Sequence, residues 1–124
     1  MARLTTDILQ RTKAYAAGII RLYAQLPSGR GEVTVLGKQM LRSGTSVAAQ
    51  VRESNRARSV AEFVAKLGGA IQEADETMLW LELLSEECGI GNALANELRQ
   101  ESSELIAILT SMIIRSRKHE KTRK

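Results

Sequence analysis

The chain has 124 residues, with one proline, one cysteine and only four aromatic side chains. This length suits one domain with one core, and its many Ala, Leu, Ile, Glu and Arg residues favour helices. The single Cys88 excludes an intramolecular disulfide and is interpreted as a small buried hydrophobe. No uncharged apolar run approaches about 18 residues and the N-terminus lacks an apolar signal segment, so we expect a cytoplasmic protein without a membrane span.

The net charge of +4, from 18 basic and 14 acidic residues, is unevenly distributed along the chain. Residues 1–31 carry five basic and one acidic side chain, and residues 32–58 carry five and two. Residues 59–91 carry one basic and seven acidic side chains, and residues 92–124 carry seven and four. This segregation predicts some faces that attract polyanions and others that repel them.

Apolar residues at helical spacing predict a first helix over about residues 5–26, ended by Pro27. Its apolar face consists of Leu4, Ile8, Tyr15, Ile19, Leu22 and Leu26. A second helix is expected from about Val33 to Ser54. Gly37 and Gly44 inside it each cost about 1 kcal/mol relative to Ala, which indicates that a neighbouring helix approaches closely.

The third helix is predicted to begin after Ser59 and to run to about Glu87. In the sequence SVAE, the Ser59 hydroxyl is expected to accept from the Glu62 amide while the Glu62 carboxylate returns to Ser59, as in a capping box. A fourth apolar run extends from Leu94 to Met112.

Four amphipathic helices with short connections predict an all-α fold. We expect an antiparallel up-down-up-down four-helix bundle over residues 1–114. The basic C-terminal tail over residues 115–124, RSRKHEKTRK, has six Lys or Arg in ten positions. Such a segment is typical of an interaction tail, and a solvated helix end whose cations complement the helix dipole is the alternative.

The helices carry more apolar residues than one packed face needs. Monomers rarely expose large contiguous apolar patches, so these residues favour a homo-oligomer, with an unusually thick core as the alternative. The additional residues are Ala17, Ile20, Ala24, Trp80, Leu83, Leu84, Ile106, Ile113 and Ile114.

No catalytic or metal-binding constellation stands out in the sequence. The single histidine, His119, lies in the basic tail, where no scaffold would orient it as a catalytic base. The acidic pairs on the third helix lack the histidines of a di-iron bundle and are interpreted as a solvated face or as salt-bridge partners. We therefore expect neither an enzyme nor a metal or other cofactor.

On a helical wheel, Arg42, Ser46, Gln50 and Glu53 form one polar stripe on the second helix. The stripe is either a groove for a phosphate backbone or a hydrogen-bonded seam against Glu73 or Glu76 of the third helix. A buried arginine must be paired, so the seam is favoured for Arg42. Other cations of this region then remain available to a partner: Lys38, Arg52, Arg56 and Arg58.

The segments GKQMLRSGTSVAAQVRESNRARSVAEF and AIQEADETMLWLELL resemble the four-helix bundle family of the 23S ribosomal RNA intervening-sequence proteins. The resemblance covers about residues 36–84. Two positions depart from the family pattern: Gln50 replaces an asparagine and Ser54 replaces a glycine. The exact conformation of the turn between the second and third helices is therefore not predicted. The matching positions are Gln39, Arg42, Ser46, Glu53, Ser59, Glu62, Phe63, Ala70 and Glu76.

This resemblance implies a non-enzymatic bundle that assembles as a ring, expected to be a homopentamer, encoded within or near ribosomal RNA intervening sequences in bacteria. Similar bundles serve as accessory proteins of diversity-generating retroelements, where a basic ring engages nucleic acid and a reverse transcriptase. Five chains of net charge +4 would give a ring of about +20, and counterion release would then favour RNA binding.

Two functions remain open at this level. The first is binding of structured RNA or other nucleic acid through phosphate contacts, without sequence-specific reading because aromatic stacking is nearly absent. The second is a structural scaffold or protein-interaction module, for example for a reverse transcriptase or a ribosome-associated factor. The candidate nucleic-acid-binding residues are Lys38, Arg52, Arg56, Arg58, Arg117, Lys118, Lys121, Arg123 and Lys124.

Overall fold

The computed structural model describes residues 6–122, and in this range the chain forms four helices and no strand. The helices are α1 (Thr6–Gln25), α2 (Gly31–Ser54), α3 (Val60–Glu86) and α4 (Ala93–Thr122). These bounds confirm the four periodic runs of the sequence. Residues 115–122 of the basic segment continue α4 as a helix, whereas Leu4, Arg123 and Lys124 lie outside the described residues.

The connection between α2 and α3 does not need the glycine that the family pattern places there. Ser54 is buried, and its hydroxyl donates to the Val51 carbonyl at 2.7 Å. Asn55 follows in the right-handed helical region, with φ of −64°, which any residue adopts readily. At the start of α3 the Ser59 hydroxyl accepts from the Glu62 amide at 3.0 Å, as predicted.

The helices enclose one aliphatic core. Each helix contacts its neighbours in the order α1, α2, α3, α4, and α4 contacts α1 in turn, which is consistent with a bundle. The core residues on each predicted apolar face include Ile19, Met40, Leu67 and Leu105, all at 0% exposure. Burial of such side chains, at about 25 cal/mol per Å² of apolar surface, is the main favourable term in folding.

The additional apolar residues divide between the core and the surface. Leu84 is 1% exposed, so its assignment to a partner surface is wrong: it packs inside the bundle. Ile20 and Ile114 are 51% and 55% exposed, and Trp80 is half-buried against the core. The indole N–H of Trp80 is buried and has no hydrogen-bond partner among the described residues.

Two pairs of buried hydroxyl groups join the helices across the core. The Tyr15 phenol of α1 lies 2.7 Å from the Ser102 hydroxyl of α4, and the Ser43 hydroxyl of α2 lies 2.6 Å from the Thr77 hydroxyl of α3. Burial raises the pKa of the Tyr15 phenol above its ordinary value, and hydrogen bonds with Ser102 and Thr77 partly offset that rise. Since buried polar groups are costly without partners, these pairs favour one alignment of the helices.

An ion-pair cluster also ties α1 to α4. The Arg11 guanidinium donates to both carboxylate oxygens of Glu101, at 2.6 and 2.7 Å, and to Glu104 at 2.8 Å. These hydrogen bonds raise the pKa of Arg11, so the guanidinium stays charged. A hydrogen bond from Gln100, together with Arg11, lowers the pKa of the Glu104 carboxyl.

Both glycines singled out in α2 lie where α1 approaches closely. A Cβ at Gly44 would be 2.7 Å from Cγ1 of Ile19, and one at Gly37 would be 2.6 Å from Cδ1 of Leu26. The predicted close approach is confirmed, and the neighbour in each case is a side chain of α1.

Gly44→Ala is expected to lower the free energy of unfolding by about 1 kcal/mol or more, because the fully buried Ile19 cannot move aside without strain. Gly68→Ala is the matched control, since a Cβ there meets no atom within 4 Å. This control is expected to raise stability by about 0.5–1 kcal/mol through helix propensity. Urea denaturation of both variants checks the prediction, and changes of the same sign would contradict it.

Candidate functional site

The polar stripe of α2 lies against α3. A guanidinium nitrogen of Arg42 is 3.5 Å from a carboxylate oxygen of Glu73, and another is 3.4 Å from a carboxylate oxygen of Glu76. Two turns further along α2, the Gln50 amide lies directly over Gly69, where a side chain would leave it no room. The predicted pairing of Arg42 with α3 is confirmed, and a small residue of α3 admits the polar side chain of α2.

The expectation that Arg42 is buried is wrong. Its side chain is 55% exposed, because it extends over the edge of the α2–α3 interface, where it meets the half-exposed Glu76 and the mostly buried Glu73, which is 15% exposed. Exposed ion pairs of this kind contribute at most about 1 kcal/mol. Nearer the end of α2, the Lys66 ammonium donates to Glu53 at 2.7 Å, and this hydrogen bond raises the pKa of Lys66.

The other matching positions also make structural contacts. The Gln39 amide oxygen accepts from Arg42 Nε at 3.4 Å, which orients the guanidinium from its own helix. Ser59 caps α3 by accepting from the amide of Glu62. Ser46 is half-buried on α2, between Arg42 and Gln50 along the stripe. The matching positions described so far thus serve helix ends and helix contacts.

The predicted nucleic-acid-binding residues that the structure describes are all exposed, and none forms an ion pair within residues 6–122. They are Lys38, Arg52, Arg56, Arg58, Arg117, Lys118 and Lys121. Lys38 does not join the others, because it lies beside Gly37, which packs against Leu26 near the connection between α1 and α2. Arg123 and Lys124 lie outside the described residues.

The helix contacts place the charges in two halves of the molecule. The first half of α1 meets the second half of α2, since Lys13 and Arg52 line one groove. The second half of α2 meets the first half of α3, since Gln50 lies on Gly69 and Glu53 pairs with Lys66. The second half of α4 continues past Glu104, which pairs with Arg11 of α1, toward the same end.

We call residues 6–17, 48–66 and 108–122 the basic half, and residues 18–47 and 67–107 the acidic half. The basic half carries ten basic and four acidic side chains, a net charge of +6. The acidic half carries five basic and ten acidic side chains, a net charge of −5. Fields of opposite sign therefore extend from the two ends of the helices, and a polyanion is attracted to one of them.

Lys13 belongs to this basic half, although no motif or periodicity in the sequence selects it. It lies with Arg52 and Arg56 in a groove between α1 and α2. Lys13 follows Leu9 at helical spacing, but only the packing of α1 on α2 reveals that it faces the two arginines. Sequence reasoning could have linked Lys13 with Arg52 only if the contact between α1 and α2 had been known.

The described residues offer no metal centre. Within residues 6–122, no group of three or more His, Cys, Asp or Glu side chains is placed to hold a metal ion. Cys88 is a buried free thiol whose carbonyl accepts from Arg30 at 2.9 Å, and His119 is exposed near the end of α4. None of the four helices has a stretch long and apolar enough to cross a bilayer.

These features define a class: an all-α protein of four helices, with polar helix seams and charges separated between two ends. The chain belongs to the 23S rRNA-intervening sequence protein family, whose model matches residues 5–111. The resemblance seen in the sequence around α2 and α3 is thereby confirmed, and it extends over nearly all of the four helices.

A similar solved structure is the crystal structure of a protein with unknown function from the S23 ribosomal protein family of Bacteroides thetaiotaomicron. The two chains are 35% identical and superpose with a TM-score of 0.77, over 86% of this chain and 97% of that one. No curated protein sequence matches this chain. Neither the family description nor the similar structure names a catalytic activity.

Arg42→Met is expected to change the free energy of unfolding by less than about 1 kcal/mol, because the arginine is more than half exposed. Thr77→Val is the comparison, since it removes the buried partner of Ser43 in the same interface and is expected to cost about 1–3 kcal/mol. Urea denaturation of both variants tests where the seam derives its stability. A larger loss for Arg42→Met would contradict this assignment.

Proposed function

We propose that this protein binds nucleic acid, with structured RNA as the first candidate, through phosphate contacts made by its basic half. The separation of a +6 half from a −5 half carries the proposal. Cations clustered at one end lower their mutual repulsion by neutralising phosphates, and the counterions released from the nucleic acid favour binding. The family description, which names 23S rRNA intervening sequences, supports RNA as the partner, and the proposal places the protein in the cytoplasm.

The aromatic residues support backbone contacts over base contacts. Tyr15 and Phe63 are buried in the core, and Tyr23 and Trp80 are half-buried against it. Stacking of unpaired bases on exposed aromatic rings is the usual alternative for single strands. With these rings committed to packing, the expected affinity depends on charge and shape and is tolerant of sequence.

We further infer that neighbouring helices run antiparallel, in an up-down-up-down bundle. Contacts between α1 and α2 pair Leu26 with Gly37 and Ile19 with Gly44, so residue numbers rise along one helix as they fall along the other. The same order holds between α2 and α3, where Ser43 meets Thr77 and Gln50 meets Gly69. This order supports the topology that short connections favour.

A homo-oligomer is the second part of the proposal, with five chains as the number expected from the family resemblance. It is supported by large apolar side chains that the single chain leaves in water: Ile20, Val35, Leu79 and Ile114 are 51%, 60%, 46% and 55% exposed. The same surfaces support the alternative function, a scaffold that binds a protein partner, because apolar patches mark both kinds of interface.

Binding to a labelled structured RNA, by protein freed of co-purified nucleic acid, tests the proposed function. We expect affinity that falls steeply between about 50 and 200 mM salt. Charge reversal of Arg56 with Arg58 is expected to weaken binding and to reduce the salt slope by about 2, and deletion of residues 117–124 should act in the same direction.

The matched control for this experiment is charge reversal of Arg21 with Lys38, which changes the net charge equally but lies in the acidic half. Its affinity is expected to remain close to that of the wild type. Absence of binding by the wild type at low salt would overturn the nucleic-acid function and direct the search to a protein partner. Equal losses for the two double variants would contradict the basic half as the binding surface.

The mass of the protein in solution checks the oligomer. Light scattering is expected to give about 68 kDa, five times the 13.6 kDa of the chain. A measured mass of fewer than five but more than one chain would support an oligomer and correct the expected number of subunits. A mass of one chain at micromolar concentration would contradict self-association and leave the exposed apolar residues to a different partner.

A further inference from the structure

The groove between α1 and α2 combines an open floor with cations from both sides of the helix contact. Its floor is formed by small or apolar side chains, Leu9, Ala48 and Ala49, which leave the helix surfaces open to close approach. Cations stand on both sides of this floor. Lys13 projects from α1, Arg52 from α2, and Arg56 from the turn that follows α2.

These three cations lack carboxylate partners among the described residues. Within residues 6–122, Lys13, Arg52 and Arg56 form no ion pair, and all three are exposed. The acidic residue of the lining, Glu53, is held by Lys66 of α3 at 2.7 Å. The groove therefore gathers positive charge at short range, and like charges brought together are stabilised by a bound anion.

We propose that Lys13, Arg52 and Arg56 form one site that grips a single strand of a nucleic-acid phosphate backbone, with Lys13 as its contribution from α1. The proposal rests on the proposed function and specifies where and how the backbone binds. The axes of two packed helices lie about 8–10 Å apart, so cations on the two sides of this surface groove are close enough to contact one backbone strand together. Cations on both sides then contact successive phosphates, and the alanine floor lets that strand lie close to the protein.

The chemistry of the three cations suits a phosphodiester. Arg52 and Arg56 offer planar forks that donate two parallel hydrogen bonds to phosphate oxygens, whereas Lys13 supplies a compact point charge. Arg56 lies in the turn that directly follows α2, and it lines the same groove as Arg52. A backbone in this groove meets the two arginines from α2 and its following turn, and the lysine from α1.

The decisive variant is Lys13→Gln, compared with Arg21→Gln on the same helix. Both remove one exposed cation that has no ion pair within residues 6–122, but Arg21 lies in the acidic half and outside the groove. Binding of one labelled RNA is measured from about 50 to 200 mM salt. Lys13→Gln is expected to reduce the salt slope by about 0.7–0.9, which makes the fall in affinity over this range about threefold smaller.

Arg21→Gln is expected to retain the wild-type affinity and slope, and Lys13→Arg is expected to retain most of the affinity because it keeps the charge in place. Equal weakening by Lys13→Gln and Arg21→Gln would overturn the groove, while salt-dependent binding by the wild type would leave the proposed function standing. Absence of binding by the wild type would overturn both. A thermal midpoint for Lys13→Gln equal to that of the wild type excludes misfolding as the cause of any loss.

Discussion

The fold depends on the register that its buried hydroxyl groups impose on an aliphatic core. Thr77 and Ser102 each donate to a carbonyl of the preceding turn of their own helix. Their partners Ser43 and Tyr15 lie 2.6 and 2.7 Å away across the two interfaces, so each buried hydroxyl has a hydrogen-bond partner. Packing of leucine and isoleucine alone is non-directional, whereas a shift of one helix would leave these hydroxyls unpaired at a cost of about 1–3 kcal/mol each.

This register places the charged surfaces. With Ser43 opposite Thr77, the polar stripe of α2 meets α3, and Glu53 comes within reach of Lys66. The other face of α2 then turns Arg52 toward α1, where the groove forms. A hydroxyl pair in the core and a cationic groove on the surface are thus set by one alignment, since both depend on how α2 lies between its neighbours.

Local signals explain why the helices could be predicted from the sequence. Apolar periodicity and the Ser59 cap are properties of short segments, and both are confirmed. The burial depth of a side chain and the pairing of helices are different, because they depend on the whole fold and not on a short segment. A helical wheel gives the direction of Arg42 but not how far its side chain reaches beyond the interface, so the prediction that it is buried is wrong. A wide apolar stripe does not show which of its edges the core covers, so the prediction that Leu84 faces a partner is wrong. Lys13 can be identified only when the packing of α1 on α2 is known.

For binding a polyanion, the separation of positive from negative side chains matters more than the net charge of the chain. α2 has 24 residues, so at about 1.5 Å per residue it is roughly 36 Å long. The Debye length is about 8 Å at physiological salt, so the far ends of the two halves are several screening lengths apart, although the halves meet near the middle of the helices. The acidic end therefore does not cancel the field at the basic end, and it offers a polyanion no alternative site. A phosphate backbone near the molecule would thus experience one attractive end, and the proposed groove at that end would provide short-range contacts that screening does not remove.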